Sequence, residues 1–65
     1  MPVKVVELLG QSTKGWQEAV EAAVVQASRE LGQVTGVEVY NLTGNVKDGR
    51  IVEYKADVKI AYVES

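Results

Sequence analysis

The side chains able to do chemistry in this chain are few and scattered. The three tyrosines, Tyr40, Tyr54 and Tyr62, are spread along the second half, Trp16 stands alone in the first, and there is no histidine or cysteine. No Ser/His/Asp or Cys/His set can be assembled, and zinc would lack its usual nitrogen and thiolate ligands. Asn45, Asp48 and Asp57 offer oxygens, but a calcium site needs about six to eight converging ones. Asp48 also has a simpler role in a turn. Neither catalysis nor a metal site is therefore expected. The six glycines form no phosphate-binding fingerprint. The tyrosine hydroxyls read as hydrogen-bonding groups at an interface, and Trp16 as a core or interface anchor.

Composition narrows the class. At 65 residues the chain reads as one domain, residues 1–65, near the lower size limit at which a single core offsets chain entropy. Without cysteine no disulfide can staple it, which leaves oligomerisation as the remaining device. The hydrophobic fraction of 46% is that of a globular protein. No apolar run approaches the roughly 20 residues a bilayer requires. Net charge is −2 with no basic run, which argues against nucleic acid as a partner. Val3 to Leu9 is too short and too charged for a signal peptide, so a cytoplasmic location is expected.

Four elements must position these side chains. Val3 to Leu9, rich in β-branched residues, reads as a strand ending at Gly10. Apolar residues at Trp16, Ala19, Val20, Ala23, Ala27 and Leu31 recur at helical spacing. Gly15 is placed to cap that helix, Glu18 lies in its first turn, and Gly32 stops it. Asp48-Gly49 lies between two β-rich runs and is the pair favoured in a two-residue type I′ hairpin.

With that turn and an unbroken ladder, Val37 faces Ile60, Val39 faces Val58, Asn41 faces Ala56, Thr43 faces Tyr54 and Asn45 faces Val52. Val52, Tyr54, Ala56, Val58, Ile60 and Tyr62 then share one face, which the helix covers. On the opposite face Glu38 meets Lys59, Tyr40 meets Asp57 and Leu42 meets Lys55; a bulge would shift these pairs. A last strand from Ile51 to Val63 would run about 40 Å, whereas a helix from Trp16 to Leu31 spans only about 24 Å. Uncovered strand ends and a second face carrying Tyr40, Leu42, Ala61 and Val63 predict an obligate oligomer. The expected fold is α+β, in the order β-α-β-β, with one helix on a three-stranded antiparallel sheet.

Several segments resemble the dodecin family: Lys4 to Ser12, the helix start Trp16-Gln17-Glu18-Ala19, Val37-Glu38-Val39, and Asp48 to Tyr54. They occur in the family's order and nearly without gaps. The resemblance implies a sheet that partly wraps its helix, a hollow homododecamer, and binding or storage of flavin-type small molecules (riboflavin, FMN or FAD). Flavin-binding dodecins carry a tryptophan just before the Val-Glu-Val strand and a glutamine after the Glu-Tyr of the last strand. This chain has Gly36 and Lys55 at those pocket positions.

Glycine supplies neither a stacking surface nor buried area. Lys55 could hold a phosphate or carboxylate at a subunit junction, or pair with Glu53, Asp57 or a neighbour's Glu38. On the computed register Gly36 and Lys55 share a face about six residues apart, so a pocket using both would have to lie between subunits. The expected function is a homododecameric small-molecule binding, storage or buffering protein. The alternative is a flavin-free relative with a structural or ion-binding role.

Overall fold

The computed structural model describes residues 2–64. In chain order the elements are β1 (Val3–Ser12), α1 (Trp16–Glu30), β2 (Gln33–Lys47) and β3 (Arg50–Val63). This is the expected β-α-β-β order with one antiparallel three-stranded sheet. β3 is central, flanked by β1 and β2.

The helix begins after Gly15, whose carbonyl accepts from the Ala19 amide at 3.1 Å. Glu18 occupies the first turn, where an acid complements the helix dipole. The helix ends at Glu30 with Leu31 as its C-cap, and Gly32 follows at φ +116°, a conformation open to glycine at little cost. Ala19, Ala23 and Ala27 are buried and meet Ala56, Val58 and Ile60 of β3, with Val6, Leu8, Val20, Val24, Leu31 and Val34 packed around them. The core is therefore a seam of small helical residues on a β-branched strand.

That seam explains Gly10, where the structure departs from the sequence reading. β1 does not stop there but runs on to Ser12. A Cβ on Gly10 would collide with the Ala19 carbonyl and crowd the Ala23 methyl. Gly10 lets the helix backbone approach the sheet and does not mark a turn.

The Asp48-Gly49 turn forms as expected, with φ of +54° and +75° at the two positions. The expected pairs Val37–Ile60, Glu38–Lys59 and Val39–Val58 also form. Beyond Val39 the ladder slips, because Tyr40 is left unpaired as a bulge. Asn41 then meets Asp57 and not Ala56, Leu42 meets Ala56 and not Lys55, Thr43 meets Lys55 and not Tyr54, and Asn45 meets Glu53 and not Val52. A compensating irregularity at Val52 restores the register to the turn, and a third shift lies between Val34 and Gly36. A bulge adds one residue to one strand and increases local twist, which curves the hairpin beyond the helix. Leu42 consequently moves to the helix side of the sheet, and Val52 remains 45% exposed beyond the helix's reach.

The described residues extend over 49 × 19 × 12 Å, so sheet outruns helix as the strand length implied. Among them, no helix is long and apolar enough to cross a membrane.

Candidate functional site

The sheet face turned away from the helix carries the positions of interest. Because Ala56, Val58 and Ile60 are buried under the helix, strand alternation turns Lys55, Asp57, Lys59 and Ala61 to the other side. Each of these lies between a β1 and a β2 partner, giving four rows across the sheet. They are Val5–Ala61–Gly36, Glu7–Lys59–Glu38, Leu9–Asp57–Asn41 and Gln11–Lys55–Thr43.

The Gly36 row is small and open. A Cβ built on Gly36 would meet only the Ala61 methyl, at 3.9 Å. The result is a shallow depression of about 210 Å³ lined by Val5, Gly36, Val37, Glu38, Lys59 and Ala61. Val5 is 62% exposed at its edge.

The two middle rows are charged. Lys59 Nζ donates to Tyr40 Oη at 2.9 Å and lies 4.3 Å from the centre of that ring, so the bulged tyrosine folds over the lysine. The hydrogen bond to Tyr40 and attraction from the same group raise the Lys59 pKa against opposing desolvation, with smaller attractions from Glu7 and Glu38. Glu7 lies diagonally across from Asp57. The hydrogen bond the two carboxyls can share, their mutual repulsion and slight desolvation raise the Glu7 pKa, with Lys59 pulling the other way. Leu9, beside them on β1, is 53% exposed.

The Lys55 row is polar and neutral apart from the lysine itself. Gln11 stands opposite on β1 and Thr43 on β2. Lys55 is half-buried. The acids two positions away on β3 are engaged elsewhere, Glu53 accepting from Asn45 Nδ2 at 3.1 Å and Asp57 lying diagonally across from Glu7.

Gly36 and Lys55 thus share the outer face but not a row. Their partners Ala61 and Lys55 are six residues apart on β3, roughly 20 Å along a strand. One chain does not bring them together. Trp16 lies on the helix side, where its indole packs edge-on against Tyr54 with centroids 4.8 Å apart at 83°, and its Nε1 donates to the Thr43 carbonyl at 2.8 Å. It anchors the hairpin to the helix start.

Sequence reasoning did not find Gln11 and Thr43 beside Lys55, nor Glu7 beside Asp57. The alternation Val5-Glu7-Leu9 in β1 marks an outer face, but which β3 residue each meets depends on a non-local register. An unbroken register, blind to the Tyr40 bulge, assigns Leu42 to Lys55, whereas the bulge sets Thr43 there.

Comparison with known proteins agrees with this architecture. A family model described as Dodecin matches residues 3–64. The chain is 29% identical over 59 residues to the dodecin of Thermus thermophilus, covering 91% of this chain and 86% of that one. The structure of an arginine-to-alanine mutant of that dodecin superposes with a TM-score of 0.90 at 28% identity, covering 98% and 97% of the two chains. Dodecin from Streptomyces coelicolor also superposes at 0.90, with 29% identity over 98% and 93%.

Proposed function

The chain belongs to the dodecin family, and from that premise we propose that it is a non-catalytic small-molecule storage or buffering protein, working in the cytoplasm as a hollow homododecamer. Its residues 1–65 act as one dodecin-like domain. The ligand is of flavin type, riboflavin, FMN or FAD, held in pockets between subunits and released by mass action.

The observation that carries this reading is the placement of the pocket positions. Gly36 and Lys55 lie on one sheet face, about 20 Å apart along β3. A ligand that touches both classes of position therefore requires residues from more than one chain. The exposed side chains support the assembly. Val3, Val5 and Leu9 of β1, and Tyr40, Leu42, Val46 and Ile51 of the hairpin, are each at least 42% exposed. So many large apolar groups on a thin sheet mark surface that another chain covers.

A second reading has an observation of its own. The open depression at Gly36 has no ring to stack on a flavin, which favours a flavin-free relative whose shell has a structural or ion-binding role. Native mass spectrometry followed by riboflavin fluorescence quenching separates the two. Saturable quenching by an intact dodecamer supports flavin storage. An intact dodecamer that leaves riboflavin fluorescence unchanged overturns flavin as the ligand, and a small oligomer overturns the shell.

A further inference from the structure

We propose that the outer-face row Gln11, Lys55 and Thr43 binds the phosphate group of a small-molecule ligand. The inference rests on the small-molecule reading above and specifies the chemistry of one contact. Three observations carry it.

The first is that Lys55 is a cation with no direct partner among the described residues. Among the described residues it makes neither an ion pair nor a side-chain hydrogen bond, whereas Lys4 pairs with Glu64 at 3.2 Å and Lys59 donates to Tyr40 at 2.9 Å. It is also half-buried on the central strand. An ammonium with no direct partner is available to an anion in a way that one already paired is not.

The second concerns its flanking acids. Glu53 and Asp57 sit two positions away on the same face and would be the natural intrachain partners. Glu53 is held by Asn45 at 3.1 Å, and Asp57 lies beside Leu9 with Glu7 diagonally across from it. The bulge at Tyr40 creates this arrangement, since it brings Asn45 opposite Glu53 and Thr43 opposite Lys55. The two acids still oppose an anion through their charge, so affinity for a bare phosphate should be modest, in about the millimolar range.

The third is the donor set. Cross-strand neighbours stand about 5 Å apart, placing a glutamine amide on one side of the ammonium and a threonine hydroxyl on the other. An ammonium, an amide NH2 and a hydroxyl are all donors, the inventory that a phosphate dianion accepts from. The row offers an aromatic ring nothing to stack on, so it recognises the charged end of a ligand and not a flat one.

The test is a titration with inorganic phosphate followed by 31P line broadening, on protein whose assembly has been checked by native mass spectrometry. Lys55→Gln is compared with Lys47→Gln, which removes the same charge from an exposed position. Lys55→Arg keeps the charge in place. The expected result is saturable binding by wild type, Lys47→Gln and Lys55→Arg, with affinity reduced about tenfold in Lys55→Gln, the scale of one charge-assisted hydrogen bond. No saturable binding by the wild type, or equal affinity in Lys55→Gln and Lys47→Gln, would overturn the site. Riboflavin carries no phosphate, so its quenching titration reports on the storage reading independently.

Discussion

The indole Nε1 of Trp16 donates to the Thr43 carbonyl across 27 positions of sequence, at 2.8 Å. This bond ties the first residue of the helix to the hairpin just beyond the Tyr40 bulge, and Tyr54 packs edge-on against the same ring. Trp16→Phe keeps the ring contact and removes the donor. It should cost about 1 kcal/mol, the net value of one such hydrogen bond. Urea denaturation followed by circular dichroism, at fixed protomer concentration because assembly contributes to stability, reads this directly.

Among the glycines, Gly10 has the closest backbone contact to an added side chain. A Cβ there meets the Ala19 carbonyl, which belongs to the helix backbone and cannot rotate away. Gly10→Val should destabilise by at least about 3 kcal/mol, at the upper end of overpacking costs. The check is soluble yield and denaturation midpoint, with loss smaller than that of Trp16→Phe counting against the close approach.

Glu7 gives stability a pH dependence. Its pKa is raised in the fold by the Asp57 carboxyl, so its protonated form is favoured there more than in the unfolded chain. The resulting stability is present below the ordinary glutamate range and is lost as pH rises through the raised value. Glu7→Gln should therefore be more stable than wild type at neutral pH, and the difference should shrink on acidification toward the ordinary glutamate range. Thermal melts of both proteins between acid and neutral pH measure this, and a constant difference would contradict it.

Gly49, at φ +75°, closes the hairpin. No atom would obstruct a side chain, so the penalty of Gly49→Val is conformational and close to that of placing a β-branched residue in the left-handed region, about 1–2 kcal/mol. A denaturation midpoint unchanged from wild type would show that the turn relaxes to another type.

The open space at Gly36 allows the double change Gly36→Trp with Lys55→Gln. The Ala61 methyl at 3.9 Å is the only neighbour a Cβ would meet. A restored stacking surface contributes about 0.5–1.5 kcal/mol beyond burial, so flavin affinity should rise by roughly tenfold once burial is included. Unchanged riboflavin quenching by a correctly assembled double mutant would remove both positions from the pocket.

Local sequence alone determined the elements and much of their ends. The spacing of Ala19, Ala23 and Ala27 selects the helix face, Gly32 ends that helix, and Asp48-Gly49 sets a turn whose register holds at Val37, Glu38 and Val39. These are local: each depends on backbone preferences within a few residues. The family, too, was legible in the order of short segments, with the substituted Gly36 and Lys55 standing out against it.

Tertiary structure decided what faces what. Gly10 looked like a strand end, because its use, admitting the Ala19 backbone, involves a helix nine positions on. Tyr40 looked like one more alternating residue, yet as a bulge it moves Leu42 to the helix side and sets Thr43 beside Lys55. A period of two carries no signal for an inserted residue; the bulge persists where sheet curvature, helix packing and the Tyr40 contact to Lys59 outweigh the lost ladder bond. The neighbourhood of Lys55 follows from those non-local terms, and for that reason only the folded chain displays it.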